Sequence, residues 1–375
     1  MRQPEHIAIA GGGIIGLACA LLLRTASHRP RAEVSLFDAG RAVREASWAA
    51  GGMLAVEDPE NPAALQPFSR YSRALYPSFL EQIEALCGSR VPFRTHQTIQ
   101  IADQARPPSA GTPLSRDEAL RLVPGLADGD HTYLLLEEAS LDPRELCTAL
   151  RTAAAAAGVA IYEHEPVRSA AAAGESTLVT TPRRELHADA FVNCCGAWAA
   201  SLHASAAVAP SKGQMLVVAQ PGGSRLTRVL RSPEVYLIPR DPFSNDNGRI
   251  VIGATVEDVG YSKLVEPAAL SLLRRRAAAL WPPAADALEI ESWAGLRPGT
   301  PDGLPFLGQI SGDDGDAPHF LAAGHHRNGI LLAPGTAHVI ADLVSGRTPA
   351  IDLAPFSPHR ASPSTACDKH FAAAL

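Results

Sequence analysis

The sequence has few lysines, few cysteines and no long apolar run. Only three of its 33 basic residues are lysines, and its six cysteines are scattered without a C-x-x-C pair. This spacing argues against a disulfide-rich scaffold and against a cysteine metal centre. We therefore expect no metal, and we expect the adjacent Cys194 and Cys195 to be reduced core thiols. No apolar stretch reaches the roughly 18 residues that a membrane-spanning helix needs.

Charge and length limit the possible functions further. The formal net charge of -6 argues against nucleic acid and against an anionic membrane as a partner. No basic segment followed by an apolar one precedes the first predicted strand, so we expect a cytoplasmic location. Because 375 residues are too many for one ordinary core, we expect two domains.

The strongest motif is a glycine fingerprint between two predicted strands. A short apolar run is followed by Gly11, Gly13 and Gly16 in G-x-G-x-x-G spacing, and then by an apolar helix. Such glycines permit a sharp turn, close approach of the main chain to a pyrophosphate, and tight packing of the helix on its strand. The second strand ends in Asp38, about 20 residues further on, where a ribose ligand is expected. The pattern predicts a dinucleotide site. The alternative, a glycine-rich turn in an ordinary βαβ unit, leaves Asp38 unexplained.

Capping and periodicity signals locate several other elements. Ser115 begins an S-x-x-E capping box, and Asp142 precedes a proline as the N-cap of a helix. Later in the chain, the pattern predicts a strand at Ile290–Ala294 and a last helix at Thr336–Val344.

The distribution of these elements predicts a discontinuous first domain. Small residues dominate Ala46–Leu54, which lets the main chain lie as a loop against a large flat ligand, and the apolar run Ala190–Trp198 returns the chain past the dinucleotide. We expect an α/β fold, with a Rossmann-like dinucleotide domain and a second domain built on a mixed or antiparallel sheet. The predicted ranges are 1–88, 142–208 and 294–351 for the first domain, 89–141 and 209–293 for the second, and 352–375 for a tail that adds little to the fold.

Five segments carry a resemblance to known proteins. They are Gly11–Gly16, Ser47–Leu54, Lys212–Met215, Trp293–Gly303 and Gly324–Pro334. Together they resemble the glycine oxidase branch of the D-amino acid oxidase family of flavoproteins, known from thiazole (thiamine) biosynthesis. The resemblance implies noncovalent FAD, a FAD-binding domain and a mixed-sheet substrate domain. It also implies oxidation of glycine, sarcosine or small D-amino acids, with O2 reduced to H2O2, by a homo-oligomer that is often a tetramer.

The resemblance implies roles for three side chains. Arg297 matches the arginine that binds the substrate carboxylate, and we expect it in a loop after a strand. A planar guanidinium suits this role because it donates two parallel hydrogen bonds. Tyr236 matches a strand tyrosine that reaches the same carboxylate, and Arg327 matches a residue near the flavin and the substrate amine. The alternatives are a surface arginine in a turn, a core or edge-strand tyrosine, and an arginine that only braces its loop.

The fingerprint and the resemblance together predict the cofactor contacts. They are Gly11, Gly13, Ile14, Ile15, Gly16, Asp38, Ala46, Ser47, Gly51, Gly52, Met53, Val167, Gly196, His325, His326, Arg327, Asn328, Gly329, Ile330 and Leu331. We expect His325 and His326 to pack and hydrogen-bond rather than act as bases, because a neutral amine can give its hydride to flavin without one. Phe306–Leu321 lacks the cysteine used by relatives with covalent flavin. Val256 and Glu234 replace a methionine and a histidine of relatives, so the preferred substrate stays open.

Three other functions share part of this pattern. A FAD-dependent D-amino acid dehydrogenase would pass electrons to a quinone and would associate with a membrane. An NAD-dependent dehydrogenase would share the first fingerprint but would not explain Ser47–Leu54 or Gly324–Pro334. A flavin-binding module without enzymatic activity would not explain the match at Arg297 and Tyr236.

Overall fold

The computed structural model of the chain describes residues 4–26, 32–102, 110–127, 129, 131–241, 248–311 and 317–360. Within these ranges the strands, in chain order, are β1 (His6–Ala10), β2 (Glu33–Phe37), β3 (Phe93–Thr95), β4 (Thr98–Ala102), β5 (Thr112–Leu114), β6 (Thr132–Leu136), β7 (Ser140–Leu141), β8 (Ala160–Tyr162), β9 (Ser169–Ala173), β10 (Ser176–Thr180), β11 (Glu185–Ala188), β12 (Ala190–Asn193), β13 (Ala209–Ala219), β14 (Val229–Arg231), β15 (Tyr236–Pro239), β16 (Arg249–Gly253), β17 (Glu289–Gly299), β18 (Phe306–Ser311) and β19 (His319–Ala323). The α-helices are α1 (Ile14–Thr25), α2 (Ala46–Ala49), α3 (Gln66–Cys87), α4 (Arg116–Leu122), α5 (Pro143–Ala156), α6 (Pro267–Leu280) and α7 (Gly329–Val344). None of the helices in these ranges is both long and apolar enough to span a bilayer.

The first large sheet is the Rossmann-like part of the molecule. Its order is β18-β19-β12-β1-β2-β8, and every neighbouring pair is parallel except β18 with β19. Helices α1, α3, α5 and α7 contribute to one continuous core with this sheet. The small antiparallel sheet β11-β10-β9 supplies residues to a second core with β1, β2 and β12. Strands buried on both faces explain the unbroken apolar run of β1.

The second large sheet is mixed and has eight strands. Its order is β17-β13-β16-β15-β14-β4-β6-β5, with one parallel pair, β14 with β4. Residues of α4 and α6 join the core on this sheet, where the indole of Trp281 is buried and donates a hydrogen bond to the Pro124 carbonyl oxygen at 3.0 Å. The predicted α/β fold, with a Rossmann-like part and a mixed sheet, is confirmed.

Two predicted helix starts are confirmed in detail. The Ser115 hydroxyl accepts a hydrogen bond from the Glu118 N–H, and the Glu118 carboxylate accepts one from the Ser115 N–H. The Asp142 carboxylate accepts from the Arg144 N–H at 2.9 Å and begins α5. Side-chain acceptors at these positions satisfy N–H groups that have no partner within the first turn.

The predicted start of the last helix was wrong. Helix α7 begins at Gly329 rather than Thr336, although Pro334 lies inside it and removes one N–H. Two buried side chains of α3 satisfy the disturbed turn. The Tyr76 hydroxyl donates to the Ile330 carbonyl oxygen. The Ser72 hydroxyl donates to the Leu331 carbonyl oxygen and accepts from the Gly335 N–H. The helix therefore tolerates its proline through contacts that come from far away in the sequence.

The strand predicted at Ile290–Ala294 is also longer than expected. Strand β17 continues to Gly299, so the predicted boundary between residues 293 and 294 falls inside a strand, and Arg297 lies in the strand rather than in a loop after it. Pro298 would interrupt an inner strand. It is tolerated here because β17 is an edge strand of its sheet. The division of the chain into domains otherwise stays a prediction.

The expectation that the tail adds little to the fold was wrong for its described part. Phe356 is 2% exposed and lies against Phe68, with ring centroids 5.3 Å apart. The Arg360 guanidinium pairs with the Asp302 carboxylate at 2.6 Å and lies 3.8 Å above the Phe306 ring. Residues 361–375, the rest of the predicted tail, lie outside the described residues.

Replacing Phe356 tests the contribution of the tail to stability. Phe356→Ala should lower the free energy of unfolding by about 3–5 kcal/mol, because a buried ring is lost and a cavity remains. Urea unfolding of the purified protein measures the change. Leu288→Ala is the control, since Leu288 is 74% exposed, and it should cost less than about 0.5 kcal/mol. Equal stability of the two variants would contradict the packing role.

Candidate active site

A cavity of about 480 Å³ lies between the two large sheets. One end is formed by the carboxyl ends of β1, β2 and β12, and the other by β13, β15, β17 and the start of α7. Ligands of open parallel sheets bind at the carboxyl ends of the strands, so the first end is the expected place for a nucleotide. The second end brings side chains of the mixed sheet to the same cavity.

Most of the predicted site residues line this cavity. They are Gly11, Gly13, Ile14, Ile15, Asp38, Ala46, Ser47, Gly51, Gly52, Met53, Val167, Gly196, Tyr236, Arg297, His325, His326, Arg327, Asn328, Gly329 and Ile330. Two predicted contacts, Gly16 and Leu331, do not line it. Both lie in helices and are buried among the packed elements of the first sheet. Their predicted contact with a cofactor stays a prediction.

The three fingerprint glycines have different roles. At Gly11, φ is +103°, and a Cβ would lie 2.3 Å from the Cys194 carbonyl oxygen. At Gly16 a Cβ would lie 1.9 Å from the Gly11 carbonyl oxygen. Both glycines are required by packing. A Cβ on Gly13 would meet only the Ser47 hydroxyl, at 3.5 Å, so this main chain is open toward the cavity at the start of α1.

Asp38 joins the two loops at the nucleotide end. One oxygen of its carboxylate accepts a hydrogen bond from the Gly12 N–H at 2.7 Å, and the other accepts from the Gly40 N–H at 2.8 Å. The side chain thus ties the glycine loop to the turn after β2 and also lines the cavity. A carboxylate has further lone pairs, so these two bonds leave it able to accept a ribose hydroxyl.

The segment predicted as a loop at Ala46–Leu54 contains the short helix α2, so it is partly helical. This segment packs very closely on the mixed sheet, since a Cβ on Gly295 of β17 would lie 2.4 Å from the Ala49 side chain. A Cβ on Gly51 would lie 2.9 Å from Ile238. Small residues are therefore needed where this segment passes between the cavity and the sheet.

Arg297 presents a guanidinium to the cavity from β17. One of its terminal nitrogens, Nη1, donates to the Thr255 carbonyl oxygen at 3.1 Å and to the Lys212 carbonyl oxygen at 3.4 Å. Gly213 makes this position possible, because a Cβ there would lie 2.3 Å from the guanidinium. Among the described residues Arg297 has no carboxylate partner. It is a cation whose remaining donors are open to a ligand.

Tyr236, on β15 of the mixed sheet, also lines the cavity and interacts with Arg297. Its hydroxyl donates to the Met215 sulfur at 3.8 Å, a weak acceptor, and its ring occupies space that a Cβ on Gly253 would fill. Burial raises the pKa of the Tyr236 hydroxyl, and the positive charge of Arg297 opposes this only in part. The hydroxyl is therefore a neutral hydrogen-bond donor at physiological pH.

Arg327 differs from Arg297 because its charge is already paired. Its guanidinium forms ion pairs with the Glu60 and Asp58 carboxylates, the second at 3.4 Å. These contacts hold the segment before α7 against the loop that contains Asp58 and Glu60 and follows Ala46–Leu54. The predicted role of Arg327 near the substrate amine stays a prediction.

The two adjacent histidines are uncharged. Burial lowers the pKa of His325 to about 3, and its Nε2 lies 3.0 Å from the Thr336 hydroxyl. Burial, together with the charge of Arg297, lowers the pKa of His326 to about 4. The His326 N–H donates to the Pro298 carbonyl oxygen at 2.9 Å. Such weakly basic imidazoles hold a proton poorly at neutral pH, which agrees with packing and hydrogen-bonding roles.

Comparison with known proteins identifies the family. The model of one family, described as FAD dependent oxidoreductase, matches residues 6–343. The chain belongs to this family. The NAD-dependent alternative and the non-enzymatic flavin module are therefore wrong.

Individual relatives match over nearly the whole chain. The glycine oxidase of Pseudomonas aeruginosa is 32% identical, and the match covers 95% of this chain and 99% of that protein. The bifunctional protein ThiO/ThiG of Synechocystis sp. is 35% identical, with 96% of this chain and 54% of that protein covered. The crystal structure of glycine oxidase from Geobacillus kaustophilus is similar with a TM-score of 0.86 and 31% identity, covering 96% of this chain and 100% of that one.

The cavity of this oxidoreductase fits FAD. The open main chain at Gly13, at the start of α1, suits a pyrophosphate. Asp38 suits the ribose, and the far end of the cavity places Arg297 and Tyr236 where a substrate would meet the flavin ring. The wall is rich in glycine and alanine, whose small size leaves room for a large flat ligand.

Some residues of the wall were not predicted. Met215 lies in a segment that carried the resemblance, so its position was within reach of sequence reasoning. Trp198 ends the run Ala190–Trp198, which was expected to pass the dinucleotide. Asp58 gave no such signal, because its approach to the cavity depends on packing between distant segments. Two predicted departures from relatives, Val256 and Glu234, lie outside the wall. Val256 is 54% exposed, and Glu234 pairs with a surface arginine at 3.6 Å.

Gly13 provides a selective test of the cofactor site. Gly13→Val should leave the fold intact, because φ at Gly13 is -70° and the protein leaves room for a Cβ. The added methyl groups should collide with the pyrophosphate and cost about 1–3 kcal/mol, which corresponds to a roughly 5- to 150-fold loss of FAD affinity. Titration of apoprotein with FAD measures this. Gly222→Val is the control, since nothing lies within 4 Å of a Cβ there. Equal FAD affinity in both variants would contradict the assignment.

Proposed function

We propose that this FAD-dependent enzyme oxidises glycine or a similar small amino acid, such as sarcosine or a small D-amino acid. The product would be an imine that hydrolyses to a 2-oxo acid and ammonia or an amine, with O2 reduced to H2O2. The observation that carries the proposal is the guanidinium of Arg297, which faces the cavity without a carboxylate partner in the described chain. Relatives named glycine oxidase support it.

The described residues suit an amino acid carboxylate. Arg297 can hold the carboxylate in one plane through its free N–H groups, and the neutral Tyr236 hydroxyl can donate a further hydrogen bond. FAD, when bound, supplies the acceptor for the hydride that leaves the substrate α-carbon. Positioning is the main task of the protein, since the low pKa values of His325 and His326 make them poor bases.

The wall around these groups favours a small substrate. Gly51 lies so close to Tyr236 that a Cβ would be 3.4 Å from its ring, and Met215 is 3% exposed beside the same ring. Little space is left for a long side chain between them. The imine of glycine would also serve thiazole biosynthesis, as the family resemblance implies, and the relative named bifunctional protein ThiO/ThiG is consistent with this role.

We further propose that the enzyme holds FAD noncovalently, forms a homo-oligomer in the cytoplasm and uses O2 as its electron acceptor. The alternative acceptor is a quinone, as in a D-amino acid dehydrogenase. A peroxide assay in air over a panel of small amino acids, repeated with a soluble quinone analogue under anaerobic conditions, separates the two acceptors and identifies the substrate.

Substitution of Arg297 tests the proposed carboxylate contact. Arg297→Ala should cost about 2–5 kcal/mol, which corresponds to roughly a 30- to 5000-fold fall in kcat/KM for glycine at about 1.4 kcal/mol per decade. Arg297→Lys should recover only part, because an ammonium lacks the planar fork. Steady-state kinetics and flavin absorbance measure both effects, and flavin content should stay near that of the wild type.

A second arginine provides the matched control. Arg347 is exposed, pairs with Asp342 at 2.6 Å and does not line the cavity. Arg347→Ala should leave kcat/KM unchanged. The proposed contact is contradicted if Arg297→Ala keeps kcat/KM within about threefold of the wild type.

A further inference from the structure

A buried lysine on β13, Lys212, lies next to Arg297 of the adjacent strand β17. Lys212 is 0% exposed, and its ammonium lies 3.0 Å from the Glu257 carboxylate and 3.5 Å from that of Glu266. Removal of a charge from water is costly unless it is paired and hydrogen-bonded. A lysine buried this completely beside a substrate pocket therefore needs its carboxylate partner to stay in place.

Glu257 connects several groups besides Lys212. One of its carboxylate oxygens accepts hydrogen bonds from the Gln214 amide at 2.8 Å and from the Thr255 hydroxyl. Burial opposes ionisation of Glu257, but the hydrogen bonds from Thr255, Gln214 and Lys212 outweigh it and hold its pKa below the ordinary value. The carboxylate is thus a charged centre on which three side chains converge.

The same residues supply the carbonyl groups that hold Arg297. Its Nη1 donates to the carbonyl oxygens of Thr255 and Lys212, at 3.1 and 3.4 Å. The main chains of Lys212 and Glu257 exchange two N–H···O bonds, both of 2.9 Å. Both carbonyl acceptors of the Arg297 guanidinium therefore belong to residues whose side chains are bound by Glu257.

We propose that Glu257 is a positioning residue for the substrate carboxylate, acting through the orientation of Arg297. By fixing the Thr255 and Lys212 carbonyls, it anchors one terminal nitrogen of the guanidinium and leaves the other donors directed at the cavity. This role rests on the proposed function of Arg297 as the carboxylate contact. It predicts that Glu257 affects substrate affinity although its own side chain is not part of the cavity wall.

A double-mutant cycle on the holoenzyme tests the proposal. The variants are Glu257→Gln, Arg297→Ala and the combination of both. The measured quantities are KM and kcat for glycine, and the Kd of glycolate, a carboxylate without an amine, from the change in flavin absorbance. Glu257→Gln should raise the glycolate Kd and the glycine KM about tenfold, a typical coupling within one hydrogen-bond network. Its kcat should stay within about twofold, because carboxylate binding rather than chemistry is affected.

The combination separates positioning from a general structural effect. In the Arg297→Ala background, Glu257→Gln should change the glycolate Kd less than about twofold, since the group it acts through is gone. Glu266→Gln is the matched control. Glu266 also pairs with Lys212, but its carboxylate has no hydrogen bond to Thr255 or Gln214 among the described residues, so the Kd should not change. Thr255→Val removes a hydroxyl that donates to Glu257 and accepts from the Gln214 N–H at 2.8 Å, and it provides a second variant if Glu257→Gln yields no holoenzyme.

The outcomes distinguish this proposal from the proposed function. An unchanged glycolate Kd in Arg297→Ala alone contradicts the carboxylate contact itself, and the positioning role with it. A raised Kd in Arg297→Ala, together with an unchanged Kd in Glu257→Gln and Thr255→Val, overturns only the positioning role. Equal effects of Glu257→Gln in both backgrounds overturn it as well.

Discussion

Close approach of main chain to side chain, permitted by glycine, is the constraint on which the site depends. A Cβ on Gly213 would occupy the place of the Arg297 guanidinium, and one on Gly253 would occupy that of the Tyr236 ring. A Cβ on Gly295 would meet the segment that separates the cavity from the mixed sheet. Three neighbouring strands, β13, β16 and β17, thus lack side chains where the functional groups and the loop need space.

The electrostatics of the site follow from which charges are paired. Arg327 is neutralised by Asp58 and Glu60, whereas Arg297 has no carboxylate partner within the described chain. A carboxylate ligand therefore completes the contacts of Arg297 and would have to compete for those of Arg327. Desolvation in the cavity strengthens this preference, because charge-assisted hydrogen bonds are stronger where water is excluded. Burial and the positive charge of Arg297 also lower the pKa of the neighbouring His326, so its imidazole stays uncharged.

Local signals predicted much of the nucleotide end of the molecule. The spacing of Gly11, Gly13 and Gly16 and the position of Asp38 are read from neighbouring residues, and so are the caps at Ser115 and Asp142. The other end depends on partners distant in sequence. The start of α7 at a proline-containing segment requires side chains of α3, and the extension of β17 through a proline requires that it be an edge strand. The Lys212 and Glu257 pair joins residues 45 positions apart and left no pattern to recognise.

We infer that one continuous cavity places an amino acid carboxylate on Arg297 and the FAD pyrophosphate at Gly13. A crystal structure of the holoenzyme with bound glycolate would show both contacts at once. The glycolate carboxylate should lie within hydrogen-bond distance of the Arg297 guanidinium and the Tyr236 hydroxyl, with the pyrophosphate against the main chain of Gly13. Glycolate bound through Arg327, with Arg297 directed away from the ligand, would show that Arg297 is not the carboxylate contact.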